Sequence, residues 1–401
     1  MIKKYIKNNL FLGTIMRTYE RTHSWLTYQI DLRLIGYETW IALGEAQSKC
    51  EHISGVPLRP SVAHTLHMIY LAKGVLATTA IEGNTLTEAE VIKHLEGKLK
   101  LPPSKEYLSK EIDNIVAACD KIAADILYRE KAEISVDKIK SYNKRVLDGL
   151  SLTESIVPGQ MRSYSVGVGG YRAAPAEDCE YLLQKLCSWL NEFQIPENAR
   201  ITFGILKAII AHIYFVWIHP FGDGNGRTAR LIEFQILLEA GIPTPAAHLL
   251  SNFYNQTRAE YYRQLDKTSK TKGNISEFIK YATTGFVDQL KEQLKIIRIQ
   301  QWDIVWRNYV HEKFKDQRSE AAVRQRHLAL DLSSSSDASI RISKIPEIST
   351  RMAAAYAQKT RKTMVRDVNK LIKMGLLERT KEGIRAKKGI ILAFLPARKF
   401  E

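Results

Sequence analysis

The most apolar stretch of the chain, ILKAIIAHIYFVWI at 205–218, places the strongest limit on its fold. At 14 residues, with Lys207 and His212 inside it, the stretch is shorter than the roughly 20 residues of a transmembrane helix. It therefore predicts a buried core helix over about 198–218, which Pro220 ends. Because 45% of the 401 residues are hydrophobic, we expect one large core, one or two smaller cores and no membrane partner.

Apolar residues recur every three to four positions through most of the chain, which predicts a mainly α-helical fold. In residues 61–84 this repeat ends at Gly83 and Asn84, and Thr87 with Glu90 then match a capping box that starts a new helix. Further helices are predicted over 105–130, 135–150, 178–193, 225–240, 254–270 and 275–312.

The segment GQMRSYSVGVGGYRAAP, residues 159–175, interrupts the helical pattern. Tyr164, Val166 and Val168 alternate with other residues, as is typical of a strand. Gly169 and Gly170 would let another group approach the backbone closely. We expect a short β-hairpin flap here, and a surface hairpin without any role in a site is the alternative.

The positive charge of the chain is concentrated towards its carboxy-terminal end. The net charge is +16, and residues 291–401 contribute +13 of it, from 25 Lys and Arg against 12 Asp and Glu. A basic tail on a nearly neutral body indicates a polyanionic partner for the tail. Within it, the polar segment DLSSSSDAS, residues 331–339, predicts a linker.

Beyond this linker the sequence predicts two helices, ISTRMAAAYAQ and TRKTMVRDVNKLIKMG, joined by a turn. The segment LLERTKEGIRAKKGIILAF then predicts two strands around a turn at Glu382 and Gly383. Helix, turn, basic helix and β-hairpin is the order of a winged helix-turn-helix. Residues 341–401 are therefore expected to form such a domain, with DNA as its partner and a protein-interaction module as the alternative.

The segment HPFGDGNGRTAR, residues 219–230, contains the densest set of chemically active side chains. Its glycines lie between two predicted helices and open the second, where free N–H groups of Gly224, Asn225 and Gly226 would form a cradle for an anion. Arg227 and Arg230 are three residues apart on that second helix, so both guanidiniums could bind phosphate or carboxylate.

Two more side chains of this segment complete a reaction site. Asp223 provides carboxylate oxygens that, beside a polyphosphate, would hold Mg²⁺. His219 titrates near neutral pH and could take a proton from an incoming hydroxyl. These parts predict group transfer from a nucleotide, and the sequence has no GxxxxGK[ST] loop that would indicate a P-loop enzyme.

The same segment resembles the signature of Fic-domain proteins, HPFx[DE]GNGRxxR, at every defined position. The resemblance covers about residues 60–290 and includes the flap sequence VGVGGY and the helix RAEYYRQL at 258–265. It implies a Fic-type helical core that uses ATP with Mg²⁺ or Mn²⁺ to move AMP onto a Ser, Thr or Tyr hydroxyl of a target protein, and onto itself. Transfer of phosphate, UMP or phosphocholine by the same core is an alternative.

The resemblance also implies a role for each residue of the site. His219 would be the general base, Asp223 would bind the metal, and Arg230 would hold the γ-phosphate. The flap would also clamp the target's main chain, and Tyr261 and Tyr262 would lie near adenine, with Ser269 where related proteins can have Asn. The residues implied in nucleotide binding are Glu82, Val168, Gly169, Gly170, Tyr171, Gly224, Asn225, Gly226, Arg227, Arg230, Tyr261 and Tyr262.

The segment TTAIEG, residues 78–83, resembles the inhibitory motif of the same family, [ST]xxxE[GN]. A carboxylate can replace phosphate oxygens, so Glu82 would take the guanidinium of Arg230 that the γ-phosphate needs. Thr78 would steady the helix or the carboxylate, and Gly83 would end the helix. A solvated glutamate at a helix end is the alternative reading, and the same carboxylate could also position a water that removes AMP.

Four segments are expected along the chain: an amino-terminal helical region with the inhibitory helix (1–104), the Fic catalytic core (105–290), a helical linker (291–340) and the winged helix-turn-helix (341–401). Four cysteines without metal-type spacing, and an amino terminus unlike a signal peptide, predict a cytoplasmic protein. The family resemblance implies a homodimer. A different class of function, a DNA-binding transcriptional regulator with the Fic core as nucleotide sensor, stays open.

Overall fold

The computed structural model of the chain describes residues 16–128, 133–334 and 339–391. The chain divides into two compact units, the first reaching to Glu292 and the second beginning at Gln293. Helices dominate the described residues of both units, so the predicted mainly α-helical fold is confirmed.

The first unit contains thirteen α-helices and one β-hairpin within its described residues, and the thirteenth helix continues into the second unit. They are α1 (Thr18–Thr22), α2 (Tyr37–Gly55), α3 (Pro60–Ala80), α4 (Glu88–Leu95), α5 (Glu106–Tyr128), α6 (Val136–Val146), β1 (Gly167–Val168), β2 (Tyr171–Arg172), α7 (Cys179–Glu192), α8 (Arg200–Ile218), α9 (Asn225–Glu239), α10 (Thr244–Ala247), α11 (Leu249–Gln256), α12 (Arg258–Lys270) and α13 (Ser276–Lys313). Short 3-10 turns lie at Leu32–Leu34, Pro103–Lys105, Ala176–Asp178 and Glu197–Ala199.

Most predicted helices occur within a few residues of their expected limits, and the capping box of Thr87 and Glu90 opens α4. The helix predicted over 254–270 is instead divided into α11 and α12. Thr257 lies between them with φ of −115°, and its hydroxyl donates a hydrogen bond to the Phe253 carbonyl at 2.7 Å. A threonine that bonds to the preceding turn in this way offers the backbone an alternative to continuing the helix.

The central helix of the first unit is α8, the apolar segment identified from the sequence. Every residue in it except Arg200, Phe203 and Val216 is buried. The segment Glu197–Ile218 is long and apolar enough to cross a membrane, but 89% of its most apolar window is buried inside the protein, as expected for a core helix. α9 returns along α8, so that Ala240 at the end of α9 lies against Gly204 near the start of α8.

Gly204 permits the close approach of these two helices, which position the candidate site. A Cβ at Gly204 would overlap the Cβ of Ala240. We expect Gly204→Ala to lower the free energy of unfolding by about 1–3 kcal/mol through overpacking. Gly44→Ala is the matched control, because Gly44 lies inside α2 with no atom within 4 Å of an added Cβ. It should stabilise the chain by about 0.5–1 kcal/mol. Thermal and urea unfolding measure both changes, and equal effects of the two substitutions would contradict this account.

The second unit contains the end of α13 and then α14 (Glu320–Ser334), α15 (Thr350–Tyr356), α16 (Arg361–Lys373), β3 (Leu377–Arg379) and β4 (Ile384–Ala386), with 3-10 turns at Ile342–Glu347 and Lys388–Ile391. β3 and β4 form an antiparallel hairpin in which Leu377 faces Ala386 and Arg379 faces Ile384. The second strand is shorter than predicted because residues 388–391 form a turn, and residues 392–394 of the predicted strand lie outside the described residues.

The expected domain boundaries differ from the observed units. Residues 291–340 were expected to form a helical linker, but Trp306, Phe314 and Leu328 lie in the same buried core as Val368 and Leu371. The described part of this segment contains the end of α13 and all of α14, and these two helices supply part of the core of the second unit. Residues 1–104 and 105–290 likewise belong to a single unit, since α3 packs on α5, α9 and α11. Of the predicted serine-rich linker, residues 331–334 end α14 and 335–338 lie outside the described residues.

Candidate active site

His219 lies at the point where the central helix ends. It is the first residue after α8, and its backbone adopts the left-handed conformation, with φ of 47° and ψ of 59°. Its N–H donates to the Phe215 carbonyl at 2.9 Å. A residue other than glycine in this conformation costs on the order of 1–2 kcal/mol, so surrounding contacts must hold it there.

Arg162 supplies those contacts. Its buried guanidinium donates from Nε to the His219 carbonyl at 2.8 Å and from Nη1 to the Tyr164 carbonyl at 2.6 Å. Nη2 donates to the Ala174 carbonyl at 2.5 Å. One side chain therefore fixes the end of α8 to both sides of the hairpin segment. Arg162 could not be predicted from the sequence, because a single arginine in an irregular segment carries no spacing signal.

The glycine-rich loop after Pro220 is closed by Asn225. The side-chain oxygen of Asn225 accepts from the Phe221 N–H at 3.0 Å, and its amide donates to the Phe221 carbonyl at 2.8 Å. Gly224 has φ of 74°, and a Cβ there would come within 3.0 Å of the amide nitrogen of Asn143. The first hydrogen bond of α9 runs from Thr228 to Gly224, so the N–H groups of residues 225–227 lie at the open end of the helix. The sequence predicts an anion cradle at residues 224–226, but the Gly224 N–H donates to the Asp223 side chain. The free N–H groups of the cradle are therefore those of residues 225–227, and their binding of an anion stays a prediction.

Glu82 and Arg230 form an ion pair beside that cradle. Arg230 Nη2 lies 2.6 Å from Glu82 Oε1 and donates to the Thr78 carbonyl at 2.9 Å. Arg230 is only 2% exposed, and its Nε and Nη1 have no hydrogen-bond partner among the described residues. Burial would raise the pKa of the Glu82 carboxyl, but the neighbouring Arg230 guanidinium outweighs burial and lowers that pKa below its usual value. Both partners are therefore charged at neutral pH.

The backbone at the end of α3 directs Glu82 to this position. The helix ends at Ala80, and Gly83 has φ of 110°, a conformation that glycine adopts easily. Thr78 contributes its main-chain carbonyl to Arg230. A Cβ at residue 226 would overlap Glu82 Oε1, so Gly226 leaves the space that the carboxylate fills. Glu82 thus lies directly against the amino-terminal end of α9.

Arg227 is held behind the cradle. Its Nη1 lies 3.2 Å from Glu111 Oε1 and its Nη2 lies 3.3 Å from Asp223 Oδ1. Glu111 also accepts from the amide of Asn84 at 2.8 Å, which ties the segment after the inhibitory motif to α5. The guanidinium of Arg227 therefore supports Asp223 and the loop, and its phosphate contact stays a prediction. Sequence patterns gave no sign of Glu111, which is one of several charged residues on an amphipathic helix.

The remaining predicted residues surround one cavity of about 190 Å³. It is lined by Ile81, Glu82, Val168, Val216, His219, Gly222, Asp223, Gly224, Asn225, Gly226, Arg230, Tyr261, Tyr262 and Leu265. A neighbouring cavity of about 570 Å³ shares Val168, Val216, Tyr262 and Leu265, and adds Gly169, Gly170 and Tyr171 of the hairpin. All predicted site residues except Thr78, Gly83 and Arg227 therefore line these two cavities.

Comparisons with known proteins identify this region. Residues 133–237, which include the loop and α9, match the family model described as Fic/DOC family. This segment of the chain is therefore similar to a Fic domain. The protein adenylyltransferase fic-1 of Caenorhabditis briggsae is 33% identical over 236 residues, which are 56% of this chain and 43% of that protein. The protein adenylyltransferase Fic of Drosophila ananassae is 31% identical over 204 residues, which are 51% of this chain and 38% of that protein. The chain thus spans about two fifths of the length of these relatives.

Solved structures agree with this assignment. The structure of residues 134–508 of Fic-1 from C. elegans covers 65% of this chain and 73% of its own, with a TM-score of 0.52 and 26% identity. A Fic family protein from Desulfovibrio desulfuricans G20 covers 84% of this chain and 91% of its own, with a TM-score of 0.52. Its 20% identity supports the fold alone.

The hairpin forms the outer wall of the two cavities. β1 and β2 pair antiparallel, with Val168 facing Tyr171. Gly169 has φ of 57° and no atom within 4 Å of an added Cβ, so the tip is open to a ligand. Tyr171 lines the larger cavity, and its hydroxyl donates to the Trp217 carbonyl at 2.8 Å. The predicted hairpin is therefore present and borders the site.

A buried polar network lies beneath the site. His212 Nε2 is 2.8 Å from the Tyr261 hydroxyl, and His212 Nδ1 is 3.1 Å from Glu233 Oε2. Glu233 Oε1 also accepts from the Tyr254 hydroxyl at 3.0 Å. Since all four side chains are buried, the network fixes Tyr261 under the cavity. The sequence analysis gave no site role to His212, because a histidine in an apolar helix rarely signals one.

The environment of His219 keeps its imidazole in the unprotonated form that a base requires. Burial, reinforced by the charge of Arg162, lowers the pKa of its imidazole from 6.5 to about 4. The ring is therefore neutral at pH 7 and able to accept a proton.

This shift predicts the pH dependence of a reaction that uses His219. In a Glu82→Gly chain, which also loses a carboxylate that raises this pKa, the transfer rate should stay nearly constant from about pH 8 to about pH 6. The rate should fall only as pH approaches the lowered pKa, because protonation then removes the base. Initial rates at saturating nucleotide measure this profile. An acid limb centred at the ordinary histidine pKa of 6.5 would contradict the prediction.

Proposed function

We propose that this protein transfers AMP from ATP to a hydroxyl side chain of a target protein and of itself. The observation that carries the proposal is one cavity that joins the half-buried, neutral imidazole of His219, the open amino-terminal end of α9 and the guanidinium of Arg230. Relatives that share about a third of their residues over the matched region are named protein adenylyltransferases, which supports the same reaction class.

Different residues of the site have different roles in this reaction. His219 accepts the proton of the target hydroxyl, whose oxygen forms a bond to the α-phosphorus of ATP. The bond from that phosphorus to the β-phosphate oxygen breaks, and pyrophosphate leaves. The N–H groups of residues 225–227 and the guanidinium of Arg230 bind the phosphates and stabilise the developing charge. Tyr262 and the hairpin hold the nucleotide and the target segment along the neighbouring cavity.

A divalent ion fits the rim of this site. The Asp223 side chain is 44% exposed and lies beside the cradle, and Mg²⁺ typically uses one or two carboxylates with phosphate oxygens. Among the described residues no group of three His, Cys, Asp or Glu could hold a metal alone, so an ion here depends on the nucleotide's phosphates. When bound, Mg²⁺ or Mn²⁺ would neutralise phosphate charge.

Glu82 keeps this activity low. Its carboxylate occupies the guanidinium that a γ-phosphate would bind, and it fills the space above Gly226. ATP must displace it, or bind with its phosphates in an unproductive position. The cavity volume of about 190 Å³ supports this view, because nucleotide-sized ligands usually occupy several hundred Å³.

Isotope labelling tests which group is transferred. The Glu82→Gly chain is incubated with Mg²⁺ and ATP that carries label on either the α- or the γ-phosphate. AMP transfer predicts covalent label from α-labelled ATP alone. Label from γ-labelled ATP alone would show phosphate transfer and overturn the proposal. Faster labelling from α-labelled UTP than from α-labelled ATP would show that UMP, and not AMP, is the group transferred.

A further inference from the structure

The outer face of α16 displays a row of exposed polar and basic residues. Lys362, Arg366, Asn369, Lys370 and Lys373 are all exposed, and their spacing of four, three, one and three places them on one face of the helix. We call these five residues the basic stripe. The only acidic residue of α16, Asp367, points the other way and is buried.

The opposite face fixes α16 firmly to the second unit. The Asp367 carboxylate accepts hydrogen bonds from Arg324 Nε at 2.8 Å, Gln325 Nε2 at 2.6 Å and the Tyr356 hydroxyl at 3.1 Å. These bonds connect α16 to α14 and α15, while Val368 and Leu371 are fully buried in the core. The basic stripe is therefore presented on a rigid element.

The cations of the basic stripe are not neutralised within the described part of the second unit. Other basic residues there do form ion pairs, among them Arg351 with Asp331 and Arg385 with Glu378. Over the same residues, the four cations of the stripe form none, and the one hydrogen bond of Lys370 goes to the neutral Gln317 amide. Like charges at this spacing repel one another, so the face is complementary to a regular array of anions.

The hairpin lies next to the same face. Arg379 at the end of β3 donates to the Asn369 side chain at 2.7 Å, which joins the hairpin to the stripe. Lys381 in the turn and Lys387 after β4 are exposed. A ligand that covers the stripe would thus meet a second set of cations beyond it.

We propose that the second unit binds duplex DNA, with α16 in the major groove and the β3–β4 hairpin on the neighbouring phosphates. Residues 357–360 join α15 to α16, which is the short connection of a helix-turn-helix. An α-helix fits the major groove, where an arginine such as Arg366 can reach base edges while lysines contact phosphates. This inference is independent of the proposed AMP transfer and does not rest on it.

Fluorescence anisotropy of the full chain with a labelled mixed-sequence duplex tests the inference. We expect binding that weakens steeply as salt rises from about 50 mM to about 200 mM. The charge-reversed variant Arg366→Glu/Lys370→Glu should bind at least about tenfold more weakly, and the slope of log affinity against log salt should fall by about 2. The matched control is Lys100→Glu/Lys105→Glu, which makes the same charge change at two exposed lysines of the first unit and should bind like wild type.

Three results would overturn the inference: binding that does not respond to salt or is absent, equal losses in the two variants, or tighter binding to single-stranded RNA of the same length than to the duplex. Thermal unfolding of both variants checks that the substitutions leave the fold intact. Because Arg366 and Lys370 are exposed, we expect unchanged unfolding midpoints.

Discussion

Replacing Glu82 with glycine is expected to raise the rate of AMP transfer by about 10- to 1,000-fold, because it frees the Arg230 guanidinium for the γ-phosphate. The 2.6 Å contact is a charge-assisted hydrogen bond to a buried guanidinium, and such bonds contribute more than neutral ones. Intact-mass spectrometry of the chain after incubation with ATP and Mg²⁺ measures self-modification as the gain of AMP over time.

Two further substitutions test whether the charge of Glu82 is responsible, one at this position and one as a control elsewhere. Glu82→Gln keeps the size of the side chain but removes its charge, so it should give an intermediate rate. Glu96→Gly removes an exposed glutamate outside the site and should leave the rate unchanged. A Glu82→Gly chain that folds normally yet reacts no faster than wild type would refute inhibition by this carboxylate.

The effect of ATP on the unfolding temperature provides a second test of the Glu82→Gly substitution. Without Glu82, Arg230 is buried with the Thr78 carbonyl as its remaining partner, so the unliganded variant should unfold at a lower temperature. ATP should then raise the unfolding temperature of the variant more than that of wild type, because it binds without displacing a carboxylate. Equal nucleotide-induced shifts in the two proteins would contradict competition between Glu82 and phosphate.

Removing the imidazole of His219 is expected to reduce transfer by about 10²- to 10⁴-fold in the Glu82→Gly background. The substitution His219→Asn is the sharper test, because asparagine tolerates the left-handed backbone that His219 adopts but cannot serve as the base. His219→Ala provides a second variant, and His64→Ala, at an exposed histidine of α3, is the matched control.

ATP affinity should change little in the His219 variants, since the proposal assigns the phosphates to the amides of α9 and to Arg230. Calorimetric titration with a non-hydrolysable ATP analogue measures this. A variant that binds nucleotide normally and still transfers AMP at the parental rate would exclude His219 as the base.

The candidate site could be predicted from the sequence because its parts lie close together along the chain. Residues 219–230 place His219, the glycine-rich loop and Arg230 at one junction between α8 and α9, and a local pattern of this kind is visible without a structure. The contact of Glu82 with Arg230 joins residues that are 148 positions apart, and only the family motif indicated it.

Other contacts had no sequence signal. Arg162 acts through main-chain carbonyls, Glu111 pairs with Arg227 across two helices, and His212 meets Glu233 inside the core. Long-range pairing depends on how helices pack, and helical periodicity does not specify which helices meet. The same limit explains why residues 291–340 were taken for a linker, although their apolar face packs into the second core.

A crystal structure of the Glu82→Gly chain with a non-hydrolysable ATP analogue and Mg²⁺ tests the central claim most directly. The account predicts a γ-phosphate within hydrogen-bond distance of the Arg230 guanidinium, in the position that Glu82 Oε1 occupies in the wild-type chain. A nucleotide bound elsewhere, or phosphates that leave Arg230 without a contact, would contradict it.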